Sequence, residues 1–245
     1  MRFSTPLIRG TLLRRYKRFL ADVTLDDGQE VTAHCANSGS MLGCQETGAE
    51  VWLTPAAAPK RRLPYTWEMI RIGDTLVGIN TARPNTLVAE AIAMDHIPEL
   101  TGYESIRREV NYGTHSRIDM LLKGTGRAPC YVEVKNVTLK RDGKRDGTAE
   151  FPDAVTERGT KHLRELTAVV AGGERAVLVF LVQRNDCQRF RVAADIDPVY
   201  NAAFFTALSK GVEVLCYSCT LDLENITVAR ALPVEGPLTT PNRCR

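Results

Sequence analysis

The chain has 245 residues, 44% of them hydrophobic and 25% charged, which describes an ordinary globular protein with an ample core. Its 32 basic and 29 acidic residues leave a net charge of +3, so it lacks the strongly basic balance of many nucleic-acid-binding domains. No apolar run of about 18 residues predicts a membrane span, and basic residues interrupt residues 1–18, so no signal peptide is predicted. We expect a cytoplasmic protein.

Residues 1–80 predict a small all-β domain. Short strands are expected at 7–13, 19–25, 30–35, 51–53, 66–71 and 75–79, with glycine-rich breaks between them. Asp26-Asp27-Gly28 separates the second strand from the third and is a strong hairpin signal. We expect an OB-like β-barrel, with the turn-rich segment 36–41 at its rim.

Basic residues cluster at two places in this domain and at 140–145. Such clusters are commonly solvated surface, but aromatic residues lie within the first and follow the second, as at sites where bases stack beside cations that track a nucleic-acid backbone. The candidate DNA-binding residues are Arg14, Arg15, Tyr16, Lys17 and Arg18 in the first cluster and Lys60, Arg61 and Arg62 in the second.

Residues 81–235 predict an α/β domain. Helices are expected at 86–94, 160–171 and 197–210, and strands at 107–112, 176–183 and 212–219, in addition to two strands within 115–135. The order is helix, three strands, helix, strand, helix, strand, which predicts a mixed sheet flanked by helices.

The segment 115–135 predicts two alternating strands joined by the turn 123–129, short enough for a hairpin. Because successive side chains point to opposite faces, the hairpin can bury one aliphatic face and hold Asp119, Glu133 and Lys135 together on the other. The residues expected to share the aliphatic face of the first strand are Ile118, Met120 and Leu122.

This grouping suits a nuclease. Carboxylate oxygens bind Mg²⁺, which keeps several waters and usually takes one or two carboxylates plus a substrate phosphate. A nearby lysine can orient or deprotonate the attacking water, or neutralise the phosphate. Glu-x-Lys on a strand is also common on a solvated face, so the triplet alone does not identify a nuclease.

The helix expected from Thr160 has basic residues crowded into its first turns, where backbone N–H groups and the helix dipole favour phosphate. We expect this helix start to contact the DNA backbone. His162 could assist proton transfer or be a hydrogen-bonded structural histidine. The residues concerned are Arg158, Lys161, His162 and Arg164.

Cys216-Tyr-Ser-Cys219 has the spacing of a metal or redox motif. No second pair or nearby histidine pair completes a site, and positions three apart on a strand face opposite ways. Seven scattered cysteines, an odd number, agree with a cytoplasmic protein.

An aspartate on the second strand of the sheet and Glu-x-Lys on the third resemble the PD-(D/E)xK nuclease superfamily, although Arg117-Ile118 stands where the proline of that name would lie. Longer strings resemble the sugar fermentation stimulation protein A (SfsA) family over nearly the whole chain, up to about Val234. They lie at 16–23, 37–41, 116–119, 133–139 and 151–166.

The resemblance implies an OB-like domain over 1–80 and a PD-(D/E)xK nuclease-like domain over 81–235. Residues 236–245 contain two prolines and no periodicity, which predicts a loose tail. The resemblance also implies a bacterial protein that binds DNA without strong sequence preference and has a link to sugar (maltose) utilisation. By analogy with the superfamily, Asp119 and Glu133 would bind Mg²⁺ or Mn²⁺ and Lys135 would act on water or phosphate. Glu90, on the preceding helix, would join the metal shell or face solvent.

Three functions stay open: a metal-dependent nuclease, a non-cleaving DNA-binding regulator, and a protein acting on structured RNA or a flap. The two carboxylates favour the first, because beside phosphate they would repel DNA unless a metal neutralised them. The oligomeric state is also open, a homodimer included.

Overall fold

The computed structural model describes residues 1–56, 62–113, 116–141 and 147–236. The predicted DNA-binding residues Lys60 and Arg61 and nearly all of the predicted tail lie outside these ranges. Within them, no helix is both long and apolar enough to cross a bilayer.

The first six strands form the predicted OB-like barrel. They are β1 (Ile8–Tyr16), β2 (Leu20–Leu25), β3 (Glu30–Cys35), β4 (Glu50–Pro55), β5 (Tyr65–Ile72) and β6 (Thr75–Gly78). Antiparallel pairing runs in the order β3-β2-β1-β4-β5, and parallel pairing of β3 with β5 closes a five-stranded barrel. Alternating apolar residues such as Val23, Leu53 and Trp67 fill its interior.

The second domain has a mixed six-stranded sheet in the order β14-β13-β11-β9-β8-β7. The order of helices and strands predicted from the sequence is confirmed, and the structure adds the short strands β10, β12 and β14. The elements are α1 (Pro84–Ala93), a 3₁₀ turn (Pro98–Leu100), β7 (Ser105–Tyr112), β8 (Ser116–Lys123), β9 (Cys130–Val137), β10 (Thr148–Phe151), α2 (Glu157–Ala171), β11 (Arg175–Val182), β12 (Arg189–Val192), α3 (Pro198–Ser209), β13 (Glu213–Leu221) and β14 (Ile226–Ala231).

Both faces of this sheet are covered. On β11, Val177 and Val179 belong to the core under α1, whereas Leu178 and Phe180 belong to the core under α2 and α3. A strand covered on both faces is a continuous apolar run, as the Ala-Val-Leu-Val-Phe-Leu-Val sequence of β11 is.

Cys216 and Cys219 lie in these two different cores, as their spacing on β13 predicts. Burial raises the pKa of Cys219 to about 12, so its thiol stays protonated at neutral pH. The two thiols therefore do not form a shared site.

The predicted buried face of β8 is wrong in part. Ile118 lies in the core under α2 and α3, whereas Met120 and Leu122 lie in the core under α1. The strand changes face at Asp119, where the regular pairing of β8 with β9 ends at Met120↔Val132. Beyond this point the Asp119 side chain accepts a 2.7 Å hydrogen bond from the Val134 backbone N–H of β9.

The helix α2 begins at Glu157, three residues before the predicted start. The Thr156 side chain accepts a hydrogen bond from the Gly159 backbone N–H and caps the helix. Arg164 therefore lies in the third turn of the helix and not in its first turns.

The barrel and the sheet share a core, and one buried ion pair joins them. Trp52 and Met69 of the barrel pack with α1 and the sheet. The Glu68 carboxylate is buried and accepts hydrogen bonds from Arg83 Nε at 2.9 Å and Asn80 Nδ2 at 2.8 Å. Residues 1–3, predicted in the first domain, lie against the turn before β14 and the start of that strand. The Phe3 N–H donates to the Glu224 carbonyl, and the Ile226 N–H donates to the Met1 carbonyl.

Candidate active site

Asp119 lies where β8 and β9 separate. Its Oδ2 accepts a 2.7 Å hydrogen bond from the Val134 backbone N–H, and its Oδ1 accepts one of 2.7 Å from Asn85 Nδ2 at the start of α1. Burial and the neighbouring Glu133 charge raise the pKa of Asp119 to about 6. The two hydrogen bonds fix the orientation of the Asp119 carboxylate, and a nearby cation would stabilise its ionised form.

Glu133 and Lys135 point to the same side of β9, as alternation predicts. The Glu133 side chain is 3% exposed, and its Oε1 accepts a 2.7 Å hydrogen bond from Lys135 Nζ. His162 Nδ1, from α2, also contacts Oε1, and Lys135 Nζ lies 3.2 Å from the same nitrogen. Burial opposes ionisation of Glu133, but Lys135 and His162 outweigh it and lower the pKa of this carboxyl.

The second oxygen of Glu133 differs from the first. Oε2 is buried and has no hydrogen-bond partner among the residues that the structure describes. A buried carboxylate oxygen without a partner is costly, since native proteins satisfy nearly all such atoms. Together with the nearby Asp119 carboxylate, this oxygen fits a cation of the Mg²⁺ type.

No group of three or more Asp, Glu, His or Cys side chains in the described ranges forms a ready ligand shell. Proteins usually hold Mg²⁺ with one or two carboxylates, and water and substrate phosphate complete the ligand shell. The residues present therefore fit a hydrated Mg²⁺ or Mn²⁺ ion, and they do not resemble a closed structural site.

These groups line a cleft of about 800 Å³ between the barrel and the sheet. The sheet side contributes the three candidate catalytic residues Asp119, Glu133 and Lys135, together with the segment that leads into α2. The barrel side contributes Arg15, Arg18 and the loop 37–40. The loop that the sequence places at the barrel rim thus forms one wall of the cleft.

The loop is attached to the opposite wall. Ser40 Oγ donates a 2.7 Å hydrogen bond to the Asp153 carbonyl, and the Met41 N–H donates to the Asp153 carboxylate at 2.8 Å. A Cβ atom on Gly39 would lie 3.0 Å from that carboxylate, so the close approach favours glycine. Both domains are therefore needed to form the cleft.

The prediction that Glu90 joins the metal shell is wrong. Glu90 does not line the cleft, and its Oε2 pairs with the α-amino group of Met1 at 2.8 Å. The residue that α1 brings to Asp119 is Asn85, five positions earlier. Nothing in the sequence distinguishes Asn85, because its role depends on where the helix start meets β8.

The residues of the first basic cluster differ in the partners that they contact. Arg14 is exposed but pairs with Asp22 at 2.8 Å and lies over the Tyr16 ring. Arg15 donates from Nη2 to the carbonyls of Asn37 and Gly39, both at 2.9 Å, so it braces the loop instead of being free for DNA.

Two other members of that cluster, Lys17 and Arg18, are exposed in the turn after β1, and Arg18 lines the cleft. In the second cluster, Arg62 is exposed. DNA contacts by these three side chains stay a prediction.

The predicted DNA-binding residues on α2 also differ in their positions relative to the cleft. Arg158 is exposed, lines the cleft and approaches His162 Nε2 at 3.4 Å. Lys161 pairs with Glu165 at 3.6 Å, and neither Lys161 nor Arg164 lines the cleft. His162 is buried against Glu133, which makes it a partner of the carboxylate and not a surface contact for DNA.

Two family models match the chain. The model described as "SfsA N-terminal OB domain" matches residues 13–79, and the model described as "Sugar fermentation stimulation protein RE domain" matches residues 82–225. The chain belongs to the sugar fermentation stimulation protein family. The family resemblance and the fold predicted from the sequence are thereby confirmed.

Relatives of similar length agree with the family assignment. The sugar fermentation stimulation protein homolog of Paramagnetospirillum magneticum is 58% identical over 235 residues, which cover 96% of this chain and 98% of the relative. That of Rhodospirillum rubrum is 57% identical and covers 97% of this chain and 100% of the relative. A solved structure of Pyrococcus furiosus SfsA in complex with Ca²⁺ has a TM-score of 0.86 and 27% identity, covering 96% of this chain and 98% of that one.

Proposed function

We propose that this member of the family is a metal-dependent nuclease that hydrolyses DNA phosphodiester bonds largely without sequence preference. The observation that carries the proposal is the partnerless Oε2 of Glu133, buried beside Asp119 and Lys135 at a cleft built from two domains. A protein that only bound DNA would gain little from burying two carboxylates where phosphate must approach.

Asp119 and Glu133 would hold Mg²⁺ or Mn²⁺, and the Ca²⁺ bound by the Pyrococcus furiosus relative is consistent with oxygen ligands of this kind. When bound, the metal would lower the pKa of a water and stabilise negative charge on the phosphate. The proposed roles of the two carboxylates do not extend to Glu90.

The chain's own cations would position the substrate. Lys135 Nζ, 2.7 Å from Glu133 Oε1, is placed to orient the attacking water or to neutralise a phosphate oxygen. Arg158 and Arg18 line the same cleft from opposite walls and would contact the DNA backbone. Backbone contacts position DNA but carry no direct sequence information.

The test is incubation of the protein with single-stranded, double-stranded and branched DNA in Mg²⁺, Mn²⁺ or EDTA, with product size measured on gels. We expect metal-dependent cleavage that Glu133→Gln and Lys135→Ala abolish while DNA binding is retained. Glu90→Gln is the matched control, because its carboxylate lies outside the cleft, and it should cleave as the native protein does.

Absence of cleavage with every metal and substrate, together with binding that neither substitution changes, would overturn the nuclease proposal. The second candidate, a non-cleaving DNA-binding regulator linked to sugar use, would then be preferred, and the family description favours testing it. A cytoplasmic location stays a prediction, and the oligomeric state stays open.

A further inference from the structure

The turn between β1 and β2 has an unusual backbone. It consists of Lys17, Arg18 and Phe19, and the first two have φ angles of +48° and +62°. Left-handed conformations cost a residue with a side chain roughly 1–2 kcal/mol, and tight turns of this kind commonly use glycine or asparagine. The chain places two long cations there instead, a combination that turn stability does not explain.

The surrounding structure holds the turn in this conformation. Arg15 Nε donates a 3.2 Å hydrogen bond to the Arg18 carbonyl, and its Nη2 donates to the Asn37 and Gly39 carbonyls. The turn is therefore braced against the loop that forms the barrel wall of the cleft. Local strain that neighbouring contacts maintain is concentrated at binding and catalytic sites.

The side chains of the turn are available to a ligand. Phe19 is 47% exposed, and Lys17 and Arg18 are exposed with no salt-bridge partner among the described residues. Arg14, in the adjoining strand, differs because Asp22 already pairs with it. Of these three side chains Arg18 lines the cleft, and Lys17 and Phe19 flank it in the same turn. An exposed aromatic ring beside two cations without salt-bridge partners is the pattern that binds single strands.

We infer that Lys17, Arg18 and Phe19 form a subsite for single-stranded nucleic acid, in which Phe19 stacks on an unpaired base and the two cations contact flanking phosphates. The inference rests on the proposed function, since it assumes that the cleft takes nucleic acid. It adds the substrate class: the face of a base is open to a phenyl ring only where the strand is unpaired, so single strands and single-stranded flaps would be preferred over continuous duplex.

The first test measures binding in Ca²⁺, an ion that two carboxylates can hold, so that they do not repel the DNA. The probes are a short oligodeoxythymidylate carrying one 2-aminopurine, whose fluorescence is quenched on stacking, and the same strand annealed to its complement. Gels of the same samples check that the probes stay intact. We expect Phe19→Ala to weaken single-strand binding about ten-fold and to reduce quenching, while Phe19→Trp retains both. Leu223→Ala removes a side chain of similar exposure, 46%, in a turn that does not line the cleft, and should bind normally.

Single-strand affinity and quenching that are unchanged in Phe19→Ala would overturn the subsite. Equal losses for duplex and single strand would also contradict it, because a paired base offers no free face. A native protein that binds neither probe would instead contradict the proposed function, so the two failures can be told apart.

The second test uses the backbone strain. Arg18→Gly should raise the melting temperature by about 2–4 °C, because glycine adopts this φ without the steric cost, and should weaken single-strand binding. Arg18→Gln keeps the strain and removes the charge, so it should weaken binding without the rise in melting temperature. Native affinity in both variants would show that Arg18 takes no part in binding.

Discussion

The two oxygens of Glu133 have different surroundings. Oε1 is contacted by Lys135 Nζ and His162 Nδ1, whereas Oε2 has no partner. Arg158 Nε lies 3.4 Å from the other ring nitrogen of His162, Nε2. An ionised carboxylate can only accept hydrogen bonds, so the contact with Glu133 assigns the donating role to Nδ1. His162 thus holds the Glu133 carboxylate so that Oε2 is free for a ligand. This positioning role differs from the surface DNA contact predicted for the start of α2.

At this scale we predict that His162→Leu weakens divalent metal binding by about 10–100-fold, the usual effect of losing a partner that orients a ligand. His162→Asn should recover part of the affinity, because its amide can donate from near the position of Nδ1. Calorimetric titration with Mn²⁺ and with Ca²⁺ measures the effect without relying on cleavage.

Thermal unfolding of both variants without metal is the control, since a general loss of structure would lower affinity in both. Metal affinity in His162→Leu equal to that of the native protein would show that His162 only fills space beside Glu133.

At the scale of elements, the loops that follow β9 and β11 are joined by a small charged cluster. Asp186 accepts hydrogen bonds from Arg184 Nε at 2.6 Å and from Lys140 Nζ at 2.7 Å. Arg184 is nearly buried and also donates to the Thr138 carbonyl. Burial opposes ionisation of Asp186, but the two cations outweigh it and lower the pKa to about 2.

A carboxyl whose pKa is lower in the folded state stabilises that state above its unfolded pKa and loses this contribution as the pH falls. We therefore expect Asp186→Asn to lower the free energy of unfolding by about 2 kcal/mol at neutral pH. The difference from the native protein should shrink as the pH falls from about 4 to about 2. Urea unfolding across this range measures it.

The control is Asp26→Asn, which removes a surface carboxylate 3.8 Å from Arg9 and should change the unfolding free energy little. A loss in Asp186→Asn that is equally large at pH 2 and pH 7 would rule out the charge interaction as its cause.

Long elements are predicted from the sequence, whereas the shortest strands are not. The helix α2 has clear apolar periodicity, β11 is a continuous apolar run, and α3 is apolar over most of its length. All three are predicted close to their observed bounds. The four-residue strands β10 and β12 pair with each other across about 40 residues of chain. So short a strand has too few positions to show a period.

At the scale of the whole molecule, the cleft exists because the barrel is fixed to the sheet. Glu68 on β5 is 1% exposed and forms a two-point ion pair with Arg83 at the start of α1. Thr54 and Asn80 complete its hydrogen bonds at 2.8 Å each. The linker between the domains is thereby part of a buried network rather than a free hinge.

We predict that Glu68→Gln lowers the free energy of unfolding by about 3 kcal/mol, the lower end for breaking a buried ion pair, because Arg83 is partly exposed. Chemical denaturation measures the loss. Cleavage and single-strand binding should also fall at temperatures where the variant is still folded, since the walls of the cleft would no longer be held together.

Glu50→Gln is the matched control, since Glu50 pairs with Arg9 and Arg71 at the barrel surface. Its unfolding should change little, because exposed ion pairs contribute little to stability. Equal losses in Glu50→Gln and Glu68→Gln would mean that burial does not distinguish the two pairs.

The sequence by itself determined the two-part fold and the identity of the central group. Alternating apolar residues and turn signals place an OB-like barrel before a mixed sheet, and strand alternation puts Glu133 and Lys135 on one side of β9. These results follow from the periodicity of consecutive residues, which can be read from the sequence without knowing which elements pack together.

Only the tertiary structure decided which distant side chains complete the site. Asn85 and not Glu90 meets Asp119, His162 turns inward to Glu133, Arg15 braces a loop, and Asp119 interrupts the alternation of β8. These contacts depend on the rotation of a helix, on the separation of two strands or on the position of a loop. Such geometry is set by packing between elements far apart in the chain, and local sequence patterns do not predict that packing.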